Sequence, residues 1–133
     1  MQELTIEYYK SYMDLMFKFS NIKKEMNEEN FNEILMNKNI KIIIYIDNND
    51  VIGAGSIFKL NKLHNNPVGQ IEDLMIDEKY RNKGIGKKII EKLTHIAFND
   101  FKCYKVILNC LNKNIEFYEK CNFYNSGVQM RFK

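Results

Sequence analysis

The sequence predicts a single α/β domain: a central mixed sheet flanked by about four helices. Three stretches carry that expectation. The isoleucine-rich run 40–47, an Asn48-Asn49-Asp50 turn and the apolar run 51–60 read as a β-hairpin. Residues 84–98 place Ile85, Ile89, Ile90, Leu93, Ile96 and Ala97 on one helical stripe, which must pack across a sheet. The compact apolar strand 104–110 follows a strand-helix unit, so it should lie parallel to the strand ending at Leu74-Met75-Ile76.

The remaining elements follow in order. Residues 4–8 alternate weakly and predict an edge strand. Residues 9–19 carry Tyr12, Leu15, Met16 and Phe19 at helical spacing. Residues 20–25 form a polar connector whose Lys23 and Lys24 face either a ligand or water. Asn27 stands as an N-cap, and Phe31, Ile34 and Leu35 mark the buried side of a second helix reaching about Asn37. Gly53 and Gly55, inside the second hairpin arm, predict close packing or a bulge. Residues 61–67 are a loop holding the only proline and His64, and 68–76 complete an antiparallel meander. Asn99-Asp100 ends the long helix, with His95 on its surface side. A short helix over 112–120 and a last strand over 123–132 close the chain, and no repeat or interdomain linker divides it.

Composition narrows the function. At 133 residues the chain makes one domain, and 45% hydrophobic with 28% charged residues describes a soluble globular protein. A net charge of +3 is too mild for a nucleic-acid interface but suits anionic small molecules. Cys103, Cys110 and Cys121 lack metal-ligand spacing and no His pair accompanies them, so free thiols and no metal are expected. The odd cysteine count and the lack of an apolar N-terminal stretch argue against secretion, and the longest apolar run, 42–46, is too short to cross a bilayer. The expectation is a cytoplasmic protein that meets neither membrane nor nucleic acid.

The chemistry concentrates at Arg81-Asn82-Lys83-Gly84-Ile85-Gly86, with Lys87 following. Gly84 and Gly86 leave no Cβ between backbone and ligand, so the amides of a helix start can approach oxyanions. The helix dipole and the neighbouring Arg81, Lys83 and Lys87 favour negative charge there, and a diphosphate is the natural guest. A P-loop would need Gly-Lys-Ser/Thr, which is absent. A dinucleotide-binding turn would need a third glycine and a place near the domain start. An Arg-x-x-Gly-x-Gly loop for the pyrophosphate of coenzyme A remains, beside a plain surface helix with basic residues. Ligands in such sheets sit at the carboxyl ends of the strands where their order reverses, and this loop opens at that point.

The element order and the Arg-Asn-Lys-Gly-Ile-Gly loop resemble the Gcn5-related N-acetyltransferase superfamily, and Asn114-x-x-Phe117-Tyr118-x-x-Cys121-x-Phe123 matches its second signature. More narrowly, Gly69-Gln70-Ile71-Glu72-Asp73, Cys103-Tyr104-Lys105 and Phe117-Tyr118-Glu119-Lys120-Cys121 resemble its glucosamine 6-phosphate N-acetyltransferase branch. The resemblance is dense over 69–133 and thin before it.

The resemblance implies the acyl-CoA N-acyltransferase fold, with acetyl-CoA as cosubstrate and a phosphorylated amino sugar as acceptor. Acetyl-CoA would rest its pyrophosphate on Arg81, Asn82, Lys83, Gly84, Ile85, Gly86 and Lys87. Its pantetheine would run along Leu74, Met75 and Ile76, with Asn114, Glu119 and Lys120 nearby. A backbone amide would stabilise the oxyanion of the tetrahedral intermediate, and orientation would be the main catalytic contribution. Tyr118 would donate its hydroxyl to the departing thiolate. Glu72 and Asp73 would border the sugar, and strand alternation allows at most one to face it squarely. Tyr104 and Lys105, Lys62 and His64, and a C-terminal cation (Arg131 or, by position, Lys133) match sugar-phosphate contacts. That cation belongs to the partner's site in a homodimer, which an exposed last strand also suggests.

One position departs from the pattern. Asn109 stands where the superfamily branch carries a carboxylate beside the reacting amine, and Asn cannot accept a proton. Glu72, Asp73 or a backbone carbonyl with water would then take it. Three functions stay open: acetylation of the sugar phosphate for nucleotide-sugar synthesis, acetylation of a peptide N-terminus, lysine or polyamine, and a non-catalytic acyl-CoA sensor.

Overall fold

Asn48 and Asn49 both adopt positive φ, 50° and 64°, the backbone that a two-residue hairpin turn requires. They join β2 (Ile40–Asp47) to β3 (Asp50–Leu60) as the centre of a five-stranded mixed sheet in a computed structural model that describes residues 1–20 and 26–133. Lys23 and Lys24 of the expected connector lie outside the described residues. Strand order equals chain order: β1 (Gln2–Glu3), β2, β3, β4 (Val68–Ile76) and β5 (Lys105–Leu108). The first three pairings are antiparallel and β4–β5 is parallel, as the strand-helix-strand order predicts.

Both faces of the sheet are covered, which is why β2 reads as an unbroken isoleucine run. Ile43, Ile57 and Ile71 face α3 (Ile85–His95), whose Ile89, Ile90 and Leu93 are buried on them. Ile44, Ala54 and Met75 face α1 (Tyr9–Phe19) and α2 (Glu28–Met36), against Tyr12, Leu15 and Phe31. Asn27 caps α2 by accepting from the Asn30 amide at 2.8 Å. Gly55 lets α3 settle on the sheet, since a Cβ there would lie 2.9 Å from both Ile89 Cγ2 and Leu93 Cδ1.

The expected edge strand over 4–8 starts earlier and is shorter. Only Gln2–Glu3 pair with β2; Leu4 still donates to the Ile42 carbonyl at 2.8 Å, and the chain then tightens into a 3-10 turn, Ile6–Tyr8, that leads into α1. The long helix runs past its predicted stop. A π-helical turn, Ile96–Asp100, continues α3 and brings Ile96, Ala97 and Phe101 into the core. The short helix comprises a 3-10 turn, Asn112–Asn114, and α4 (Ile115–Lys120).

The expected last strand over 123–132 is absent. No ladder forms there, and Tyr124, Val128, Met130 and Phe132 are 83–107% exposed. Strand patterning without an apolar wall to pack on does not make a strand. The outer edge of β5 is therefore bare in the single chain. Among the described residues, no helix is long and apolar enough to cross a membrane.

Candidate active site

β4 and β5 pair only from Val68–Lys105 to Ile71–Leu108. Beyond that row β4 continues to Ile76 while the chain after Leu108 turns away, so β4 has no ladder partner on that side. Unpaired strand backbone offers hydrogen bonds to an extended ligand. The notch widens into a cleft of about 1160 Å³, lined by Leu74, Met75, Ile76, the Arg81–Lys87 turn and the first residues of α4. That exceeds the roughly 300–1,000 Å³ usual for a drug-sized ligand and fits a cosubstrate as large as acetyl-CoA.

A bulge shapes the cleft's inner end. Ala54 pairs with Met75 and Ser56 with Glu72, so Gly55 faces the extra residue, and Asp73 there takes φ 54°. The bulge breaks the alternation that would send Glu72 and Asp73 to opposite faces. Ile71 and Leu74 both pack toward α3, and both carboxylates between them line the cleft. Gln70 Nε2 donates to Glu72 at 2.5 Å. Partial burial, then repulsion from Glu72, raises the Asp73 pKa above the ordinary carboxylate value.

The glycine turn opens the other end. Gly84 caps α3 at φ 79°, a conformation that suits glycine, and a Cβ there would meet nothing within 4 Å. The first α3 amides have no side-chain cap, and no acidic residue occupies the first turn. Arg81, Asn82, Ile85 and Lys87 line the cleft around them. Gly86 has a different task from the one expected: a Cβ there would lie 3.1 Å from Phe117 Cζ, so its absence seats α4 against α3. Lys83 stands over the Tyr80 ring at 5.4 Å, outside the lining.

Tyr118, on α4, lines the cleft half-buried between Phe117 and Phe123, 4.9 and 6.1 Å away by ring centroid. Burial, then the Cys110 and Cys121 thiols, pushes its pKa up to about 12. Asn109, Cys110, Asn114 and Lys120 complete this wall, whereas Glu119 faces the opposite groove beside β5. Several lining residues gave no functional signal in the sequence: Met16, Phe19 and Ser20 of the α1 end, and Lys113. The first two read as core by helical spacing. Lys18 bonds Asp77 at 2.9 Å and Arg81 lies 5.4 Å over the Phe19 ring, so the α1 end is braced to the glycine turn.

The other expected sugar contacts are not at this cleft. Lys62, His64, Tyr104 and Lys105 cluster at the start of β4 and β5; about four residues of strand, roughly 13 Å, separate Lys105 from Asn109. Arg131 and Lys133 lie on the exposed tail, where Arg131 Nε donates to the Lys133 carbonyl.

The acetyltransferase (GNAT) family model matches residues 3–123. The chain belongs to the GNAT acetyltransferase family. Within it, the chain is 36% identical over 131 residues to glucosamine 6-phosphate N-acetyltransferase 1 of Dictyostelium discoideum, covering 93% of this chain and 83% of that protein. It is 39% identical over 82 residues to the Arabidopsis thaliana glucosamine 6-phosphate N-acetyltransferase, 60% of this chain and 54% of that protein, so that match spans about half of the plant relative. The crystal structure of the Arabidopsis enzyme superposes with a TM-score of 0.90 at 28% identity, covering 99% of this chain and 95% of that one. The splayed β4–β5 notch and the glycine turn are thus features of a GNAT domain.

Proposed function

We propose that this GNAT protein transfers the acetyl group of acetyl-CoA to the 2-amine of D-glucosamine 6-phosphate, as a cytoplasmic homodimer supplying N-acetylglucosamine 6-phosphate for UDP-N-acetylglucosamine synthesis. The notch where β4 loses β5, between the bare α3 N-terminus and Tyr118, carries the acyl-transfer reading. The relatives' printed activity supports the acceptor.

In this reading the α3 amides, Arg81 and Lys87 hold the pyrophosphate, and the free backbone of 72–76 holds the pantetheine arm and the thioester oxygen. As the C–N bond forms and the C–S bond breaks, the amine loses a proton and the thiolate leaves. Asp73, a better base than an ordinary carboxylate, takes that proton directly or through water, and Glu72 accepts from the sugar hydroxyls. Asn109 orients without titrating. Tyr118, at about 12, stays protonated and stabilises the thiolate chiefly by hydrogen bonding, because a thiol's reference pKa is only about 8.5. Tyr118→Phe is therefore expected to lower kcat by roughly ten- to a hundredfold, the worth of one hydrogen bond to a charge, with acetyl-CoA affinity nearly unchanged by calorimetry. Equal turnover would remove this role.

The phosphate would be bound by Tyr104, Lys105 and the tail cations of a second copy, since one chain leaves them far from Asn109. A second reading has its own observation: within one chain the acceptor end presents carboxylates, which suit a cationic amine or peptide. Thiol release from acetyl-CoA, compared across glucosamine 6-phosphate, glucosamine, spermidine and a lysine peptide, separates them. Release with the sugar phosphate alone is expected. Release with spermidine or peptide alone moves the acceptor to the second reading, and tight acetyl-CoA binding with no release from any acceptor favours a sensor.

A further inference from the structure

A second cavity of about 560 Å³ lies between the α1–α2 layer and the sheet, and it shares Met16 and Asp73 with the cleft. Its walls are largely apolar, with Met13, Phe31, Ile34 and Leu35 from the helices facing Ile42 and Phe58 from the strands. Protein interiors are close-packed, and an apolar space of this size in the middle of a layer weakens the fold unless something occupies it. Its buried hydroxyls leave no demand for a polar guest: Tyr12 and Ser56, 4% and 2% exposed, are bonded to each other. Methionines on its rim adapt to guests of varied shape. The opening is at the Asp73 bulge, which the proposed function places beside the thioester.

We propose that this cavity is an acyl-chain pocket, so that the enzyme uses straight-chain acyl-CoA thioesters longer than acetyl-CoA as donors. The inference rests on the acyl-CoA reading of the cleft, not on the identity of the acceptor. The thioester carbonyl stays at the bulge and the chain beyond it threads past Met16 and Asp73. The reaction balances as for acetyl: the acyl C–S bond breaks, an amide C–N bond forms, the amine gives up a proton and coenzyme A leaves as its thiol.

Binding of acetyl-, butyryl- and hexanoyl-CoA by calorimetry tests the pocket without any acceptor. Each buried methylene is worth about a fourfold gain in affinity, so butyryl-CoA is expected to bind on the order of tenfold more tightly than acetyl-CoA. Ile34→Phe, on α2 and outside the cleft lining, fills the cavity. It is expected to abolish that gain while acetyl-CoA binds as before. Equal affinity of the wild type for acetyl- and butyryl-CoA overturns the pocket, as does a chain-length gain that Ile34→Phe leaves intact. Should that variant not fold, Asn30→Phe, on the exposed side of the same wall, makes the same test. Thiol release from acetyl-CoA with glucosamine 6-phosphate runs alongside. Its failure would reject the acceptor, while the wild-type affinity ratio decides the pocket.

Discussion

Asp73 shows what a single backbone angle does. At φ 54° it sits where aspartate and asparagine are tolerated better than most residues, and the turn of the chain there puts two carboxylates in one cleft. Its raised pKa means that the fold favours the protonated form, so the charged form costs stability at neutral pH. Asp73→Asn keeps the left-handed backbone and removes the charge. Its melting temperature is expected to exceed that of the wild type at pH 7. The difference should fade as the pH falls through the raised pKa toward the ordinary 3.8, and activity should fall throughout. A variant that melts no higher at pH 7 would deny the strain. The sequence made these two carboxylates candidates by resemblance, but it could not show them side by side. Period-two alternation holds only where the ladder is regular, and a bulge announces itself by register rather than by residue type.

At the scale of elements, helix α3 was the most legible part of the chain, because six apolar residues repeat at helical spacing over a long stretch. Its glycines were legible as a turn and not as two separate devices. Gly84 supplies a left-handed cap in open space; Gly86 supplies clearance for Phe117. Two substitutions separate these tasks. Gly84→Ala is expected to cost about 1–2 kcal/mol of stability from backbone strain, because its Cβ meets nothing. Gly86→Val is expected to cost a similar roughly 1–3 kcal/mol by overpacking. It should also weaken acetyl-CoA binding, by pushing α4 and Tyr118 off α3. Denaturant titration reads the first quantity and calorimetry the second. If Gly86→Val bound acetyl-CoA as the wild type does, α4 would not be set by this contact. The expected last strand failed at this scale for a clear reason: alternation is necessary for a strand, but a pairing partner and an apolar wall complete it, and the single chain supplies neither for residues 123–133.

For the whole molecule, the tail and the bare edge of β5 belong to one question. Tyr124, Val128, Met130 and Phe132 give the protomer almost no buried surface, so ending the chain after Phe123 is expected to leave its melting temperature within a few degrees of the full chain. The same truncation should abolish the proposed homodimer by sedimentation and, with it, turnover of the sugar phosphate. A truncated chain that remains dimeric would place the interface elsewhere. The layers, the parallel pair and the glycine turn were readable from one sequence because each follows from local pattern and chain order. The separation of Lys105 and the tail cations from the cleft was not, because it depends on which ends of two strands face each other. If those cations must come from a second copy, the enzyme's working unit is set by mass action. Specific activity toward the sugar phosphate would then fall on dilution and rise with protein concentration, while acetyl-CoA binding, confined to one chain, would stay constant per protomer.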